Sequence, residues 1–331
     1  MAGRKPRHFY NVVEGRRPSL TPRANWANTG ARSILFASFL PETAMNPTLI
    51  PAQIPAAIAA RLQQIGAVIE TAETGAMYAP LQPREPYADV RVLRDANYGD
   101  DPRHRLDVFT PQTVDAAPRP VFLFIHGGGF VRGDKRNGDS PFYDNLMLWA
   151  VANGLVGVNM TYRLAPAHPW PAAQQDIAAA LRWIQTNIAS RGGEPQRIIL
   201  AGHSAGAAHV AQYLAHPALR LGDDGVRGAI LVSGIYDTMR AEPNEYLHAY
   251  FGDDPTQLAA RSALPGLLQA GVPLLIVSAE QDPPDFQRQA ALPGLPHYQL
   301  AGHSHISEIF AVGSGDHALG DLMRDFVVQH A

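Results

Sequence analysis

Residues 202–206 read Gly-His-Ser-Ala-Gly, directly after the apolar run Ile198-Ile199-Leu200-Ala201 and directly before the alanine-rich stretch 205–215. Gly-x-Ser-x-Gly between a strand and a helix puts its serine on a sharp turn, where the hydroxyl is presented for attack. Gly202 permits the reversal and Gly206 lets the new helix lie close to the neighbouring strand. A serine hydroxyl is a weak nucleophile at neutral pH. Acyl transfer through Ser204 therefore needs a base for its proton, a carboxylate to orient that base, and N–H donors for the oxyanion.

Each requirement has a candidate in the chain. His126-Gly127-Gly128-Gly129 closes the apolar run Val121–Ile125. Its glycines free the N–H groups of Gly128 and Gly129, with that of Ala205, to form an oxyanion hole. Gly127 belongs to the same loop, and His126 props it rather than serving as base. The acid follows Pro273–Val277, in Glu280-Gln281-Asp282-Pro283-Pro284. Asp282 is preferred there, with Glu280 and the earlier Asp237 as alternatives that otherwise read as loop carboxylates or helix caps. The base lies in Gly302-His303-Ser304-His305, where His305, just ahead of Ile306–Phe310, is preferred to His303. Two histidines at this spacing also suggest a metal site, but only Asp316 and His317 stand near enough in sequence to complete one. No metal and no cofactor are expected. Phe130 and His209 are candidate substrate-pocket residues, while Trp170 and Tyr213 read equally well as core.

Stepping outward to the elements that must hold these groups, β-type runs alternate with helical patterns from residue 87 on, the signature of a mainly parallel sheet with helices on both faces. Eight strands are predicted: Asp89–Leu93, Arg105–Phe109, Val121–Ile125, Leu155–Met160, Arg197–Ala201, Ala229–Val232, Pro273–Val277 and Tyr298–Leu300. The first two are close enough in sequence to pair antiparallel. Ile177, Leu181, Ile184 and Ile188 mark a helix over 171–190 that Gly192-Gly193 ends, and Leu319, Leu322, Met323, Phe326 and Val327 mark another. Ile54, Ile58, Leu62, Ile65 and Ile69 predict a further helical face. Residues 46–86 and parts of 236–270 are additional to the sheet and are expected to form a small cap on a single domain spanning 46–331.

Composition narrows the class. The 331-residue chain is 46% apolar and 17% charged, carries a net charge of −3 and has no cysteine. That charge disfavours a nucleic-acid partner, and the absence of cysteine removes disulfides, thiolate metal sites and a Cys nucleophile. No apolar run reaches the roughly 18 residues of a membrane span, so no stable membrane association is expected. Residues 1–45 hold seven of the 27 basic groups and two of the 30 acidic ones. They are expected to be a disordered extension or a misassigned start ahead of Met45. The alternative is a secretory or transit signal built on Arg16-Arg17 and Ile34–Leu40, although its charged region is long and its apolar region short. A cytoplasmic location is expected, and nothing in the pattern specifies an oligomeric state.

Taken together, His126–Phe130, Tyr162-Arg163-Leu164-Ala165-Pro166-Ala167-His168-Pro169-Trp170-Pro171-Ala172-Ala173, Gly202–Gly206 and the surroundings of Asp282 and His305 resemble the hormone-sensitive-lipase-like carboxylesterases over residues 87–330. The resemblance implies an α/β-hydrolase fold and a Ser-His-Asp ester hydrolase without cofactor, acting on a small-molecule ester of small to medium acyl chain. His305 is followed by Ile306-Ser307 where much of that group has Gly-Phe. In this, and in Ser233-Gly234-Ile235-Tyr236-Asp237 and Phe251-Gly252-Asp253-Asp254-Pro255, the chain is similar to ferulic-acid-esterase-like and kynurenine-formamidase-like enzymes. Amide hydrolysis of the arylformamidase type is the alternative, and a ligand-binding protein that has lost catalysis a remoter one. Dinucleotide binding is disfavoured, since residues 202–206 lack the G-x-G-x-x-G spacing.

Overall fold

A computed structural model describes residues 46–113, 117–291 and 295–331, so the expectations for residues 1–45 lie outside the described residues. The strands are β1 (Thr48–Ile50), β2 (Val90–Asn97), β3 (Arg105–Pro111), β4 (Arg119–Ile125), β5 (Val156–Met160), β6 (Gly193–His203), β7 (Val226–Val232), β8 (Leu274–Gln281) and β9 (His297–Ser304). They form one sheet in the order β1-β9-β8-β7-β6-β4-β5-β3-β2. Strands β2 and β3 pair antiparallel, as do β3 and β5, and all other pairs are parallel. All eight expected strands are present. The ninth, β1, adds parallel to the edge of β9 with Leu49 opposite Gln299. At three residues it is too short to show a period-2 pattern.

Among the described residues, ten helices connect and cover the sheet: α1 (Ala56–Ile65), α2 (Thr71–Tyr78), α3 (Asp144–Ala152), α4 (Ala172–Asn187), α5 (Ala205–Ala215), α6 (Glu245–Phe251), α7 (Pro255–Ala260), α8 (Pro284–Ala290), α9 (Ser307–Phe310) and α10 (Ala318–His330). Side chains alternate across the central strands. Val121, Leu123 and Ile125 join Ile198, Leu200, Ala229 and Leu231 in a core under α4 and α5, while Phe122, Phe124, Ile199 and Ile230 pack toward α3 and α10. Both faces of the inner strands are thus covered, which is why they read as continuous apolar runs. Ile177, Leu181, Ile184 and Ile188 are fully buried, as their spacing requires. The helical face expected over 54–69 is shorter than predicted. Gly66, at φ +73°, ends α1, so Ile69 lies beyond the helix and is exposed. No helix among the described residues is long and apolar enough to cross a membrane.

Parallel strands with aligned ends bring their following loops to one edge. Ile125 is paired with Gly202, His203 with Val232, Val232 with Val277, and Gln281 with Ser304. The loops that carry the candidate residues all leave from that carboxyl edge.

Candidate active site

Ser204 stands between β6 and α5 with φ 56° and ψ −123°, a left-handed backbone that a serine adopts at a cost of roughly 1–3 kcal/mol. Its N–H is held by the Val232 carbonyl at 2.9 Å. The tight turn depends on backbone contact on both sides. A Cβ on Gly202 would lie 2.6 Å from the Ala207 nitrogen, and one on Gly206 would lie 2.7 Å from the His126 oxygen.

The glycine loop after β4 passes beside Ser204, so closely that a Cβ on Gly127 would lie 3.1 Å from the Ser204 Cβ. Gly128 takes φ +130° and would bring a Cβ to 2.7 Å from the Arg132 carbonyl carbon. The N–H groups of Gly128 and Gly129 have no acceptor among the described residues, and that of Ala205 starts a helix, where no intrahelical acceptor exists. His126 is fully buried, donates from Nδ1 to the Gly127 oxygen at 2.6 Å, and stacks on Tyr162 at 4.4 Å. Burial pushes its imidazole down to about 3, so it is neutral and serves as a prop. The Tyr162–Ala173 segment braces the same loop, with the Tyr162 hydroxyl donating to the His126 carbonyl at 2.9 Å and the Ala165 N–H to that of Phe130 at 3.0 Å.

The structure pairs His305 with Asp282. His305 Nδ1 donates to Asp282 Oδ1 at 2.7 Å, and both residues are buried. His305 Nε2 has no hydrogen-bond partner. The other candidates go elsewhere. His303 faces Asp316 at 3.3 Å and Ser307 at 3.0 Å, Glu280 accepts the Gly302 N–H at 2.7 Å, and Asp237 accepts the Met239 N–H at 3.0 Å. Burial alone would raise Asp316, but hydrogen bonds from His303 and from the Ala318 and Gln53 N–H groups outweigh it and hold the carboxyl below its ordinary value.

Ser204, His305, Ala205 and the three glycines line one cavity of about 690 Å³. Phe130, Ile235, Leu247, Phe286 and Ile306 form its apolar walls, and Arg132, Asn137, Glu242 and Asn244 lie on its polar side. His209 is a correction. It is fully buried behind Phe130, edge-on at 5.2 Å, with Gln174 Nε2 donating to its Nδ1 at 3.3 Å, and does not reach the cavity. Burial drives it down to about 3. Its position in α5, five residues after Ser204, turns it toward Phe130, Tyr162 and Tyr250.

Two polar residues at the site escape a reading of the chain. Ser233, just past β7 at φ +47°, donates to Asp282 Oδ2 at 2.5 Å, and the Ala279 N–H reaches the same oxygen at 2.7 Å. Glu308, in α9, is buried against His203 at 3.4 Å. Ser233 has the same signal as Ser204, a polar residue at the end of an apolar strand, but nothing in Ser233-Gly234-Ile235-Tyr236-Asp237 ties it to Asp282; Glu308 is hidden within an apolar run. Among the described residues, His203, His305 and Glu308 are the one group able to bring three metal-binding atoms within 4.8 Å. The donor set does not suit an ion, because the His203 nitrogen that faces Glu308, Nε2, already donates to the His305 carbonyl at 2.7 Å.

Comparison with known proteins agrees with this architecture. Residues 122–290 match a family model described as alpha/beta hydrolase fold, just over half of the chain. Esterase LipI of Mycobacterium tuberculosis is 39% identical over 126 residues, 38% of this chain and 38% of that protein. Esterase LipQ of the same organism is 32% identical over 199 residues, 57% of this chain and 46% of its own length. Phenmedipham hydrolase of Pseudarthrobacter oxydans is 38% identical over 124 residues, 35% of this chain and 24% of that protein. The chain thus spans less than half the length of these curated relatives. An inhibited esterase B from Lactobacillus rhamnosis superposes with a TM-score of 0.62 at 20% identity, over 82% of this chain and 97% of that one. The metagenomic carboxylesterase EstE1 gives 0.57 at 22%, over 82% and 97%. At such identities the likeness is one of fold. Fold, motif-bearing strand ends and family match converge, and the chain belongs to the alpha/beta hydrolase fold family.

Proposed function

We propose that this protein is a carboxylic ester hydrolase that works through an acyl-enzyme on Ser204. The observation that carries the reading is the strained turn presenting Ser204 in the same cavity as His305, whose Nδ1–H is anchored on buried Asp282. In this mechanism His305 Nε2 takes the Ser204 proton as Oγ attacks the ester carbonyl. The N–H groups of Gly128, Gly129 and Ala205 receive the oxyanion, and Asp282 stabilises the imidazolium. His305 then gives its proton to the leaving alcohol. Water, deprotonated by His305, cleaves the acyl-enzyme, and Ser204 recovers its proton.

Thr48–Ile50 belongs to the sheet, and residues 51–86 with parts of 236–270 act as a small cap, a reading supported by Ile69, Thr71, Glu242, Asn244, Tyr246 and Leu247 on the cavity wall. The cavity volume and apolar walls favour esters of small to medium acyl chain. The names of LipI and LipQ support ester over amide. Ser204→Ala is expected to abolish hydrolysis of a nitrophenyl ester, and a fluorophosphonate to label Ser204 alone. Wild-type activity in the variant, or labelling elsewhere, refutes the mechanism. Faster turnover of an N-formyl aromatic amine than of the matching aryl ester refutes the ester assignment.

A further inference from the structure

Glu308 is a buried acid that the mechanism above leaves unused. It lies three residues after His305 and is 1% exposed. Neither of its carboxyl oxygens receives a hydrogen bond. The nearest N–H, on His203 Nε2, is 3.4 Å away and already committed to the His305 carbonyl at 2.7 Å. The Ser233 hydroxyl also lies against the carboxyl, but its single proton goes to Asp282 Oδ2 at 2.5 Å.

The groups around Glu308 come from four strand ends. They are His203 at the end of β6, Ser233 and Tyr236 after β7, Asp282 after β8, and His305 after β9. The imidazole of His305 is already paired with Asp282 at 2.7 Å, and no lysine or arginine is among these groups. His203 is fully buried and held well below its ordinary value by burial and by neighbouring His305, so it is neutral. Asp282 faces Glu308 with a negative charge. A carboxylate without donor or cation in such a place is costly, whereas a carboxylic acid brings a donor of its own. Burial, and after it the charge of Asp282, push Glu308 well above the usual carboxyl range. The Ser233 hydroxyl, which lies against the carboxyl, has a lone pair free to accept from it.

We infer that the Glu308 carboxylic acid donates to Ser233 Oγ, which donates to Asp282 Oδ2, so that Glu308 is a positioning residue for the Asp282–His305 pair. The inference rests on the serine-hydrolase reading above. Its physical content is the direction of the chain. Were Glu308 ionised, two carboxylates would compete for one hydroxyl proton. With Glu308 protonated, that proton has one destination, Asp282 Oδ2 is satisfied by Ser233 and the Ala279 N–H, and Oδ1 is left for His305.

The test is a double-variant cycle read as kcat, KM and the pH profile of nitrophenyl ester hydrolysis. Glu308→Gln keeps a donor without charge and is expected to stay within about threefold of wild-type kcat, with the acid limb of kcat/KM unmoved. Glu308→Leu is expected to lower kcat about tenfold with KM within about twofold. Ser233→Ala is expected to lose at least as much, and the Ser233→Ala/Glu308→Leu double variant no more than Ser233→Ala alone, because Glu308 acts through that hydroxyl. Additive losses overturn the inference. So does an acid limb that moves to lower pH in Glu308→Gln, which would mean a negative charge had been removed; this measurement decides alone if Glu308→Leu does not fold. A wild-type protein that no fluorophosphonate labels at Ser204 overturns the hydrolase reading instead.

Discussion

Gly206→Ala isolates how closely the serine turn depends on backbone packing. A Cβ at 206 would lie 2.7 Å from both the Ile125 carbonyl carbon and the His126 oxygen, with the Ile125 oxygen nearer still. Ordinary contacts of this kind sit near 3.5 Å, so α5 must move off β4 by about 1 Å. The opposing atoms are main chain in the sheet centre, so no side chain can swing aside. Overpacking of this kind costs about 1–3 kcal/mol. The displacement also moves Ser204, the residue just before α5, relative to His305, and a misplacement of about 1 Å lowers the rate about 10²-fold. Urea unfolding reads the first effect, and the second-order rate of fluorophosphonate labelling reads the other. Gly222→Ala is the control, an exposed turn glycine with nothing within 4 Å of the added methyl and no positive φ, expected within about 0.5 kcal/mol of wild type. If Gly206→Ala matches this control in stability and labels as fast as wild type, the packing account of the turn is wrong.

Three further perturbations test the electrostatics. Asp282→Asn keeps the shape of the acid but favours the wrong His305 tautomer, and is expected to cut kcat about 10⁴-fold; a loss below tenfold contradicts the assigned role. Asp316 is held below its ordinary value in the folded chain, so the stability it contributes is complete above about pH 4, where the unfolded carboxyl has ionised, and is lost as pH falls through the folded value. The stability gap between wild type and Asp316→Asn should therefore be largest near pH 6 and shrink in acid, and a gap independent of pH refutes the account. Glu308 has the opposite sign. Its raised folded value means the native chain keeps a proton that the unfolded chain loses above about pH 4.3, so wild type loses about 1.4 kcal/mol per pH unit relative to Glu308→Gln over the range where the native acid stays protonated. Calorimetry at pH 5 and pH 6.5 should find Glu308→Gln gaining on wild type; an unchanged difference contradicts the neutral acid.

Legibility followed the length of the pattern. Eight strands and the helices over Ile177–Ile188 and Leu319–Val327 were readable because buried apolar runs and 3.6-residue stripes extend over several turns or pairs. Strand β1 was not, because three residues show no period. Ile69 was assigned to a helix that Gly66 stops. His209 was placed near the pocket by its nearness to Ser204 in sequence, yet its side chain packs on Phe130, Tyr162 and Tyr250 inside the core. Nearness along a helix does not decide which face a residue presents. Ser233 meets a partner 49 residues away, and Glu308 lies against groups from other strand ends, which no local spacing encodes.

The separation of His303 from His305 follows from where β9 ends. Along a strand, residues two apart share a face, so a continued β9 would have sent both imidazoles the same way. Strand β9 stops at Ser304. His303, still in the sheet, is held toward Asp316 just before α10, and His305, beyond the last rung, turns over the carboxyl edge to Asp282. Along that edge the neighbouring strands are β9, β8, β7 and β6, bearing His305, Asp282, Ser233 and Ser204 in turn. With strands about 4.8 Å apart, His305 would have to span the width of β8 and β7 to act as base on Ser204 in the proposed mechanism. The residue on the intervening β7 therefore lies under the reach of the imidazole. Ser233 occupies it with a side chain small enough to clear that path and polar enough to hold the acid from below. A larger residue there would obstruct the base, and an apolar one would leave Asp282 Oδ2 with only the Ala279 N–H.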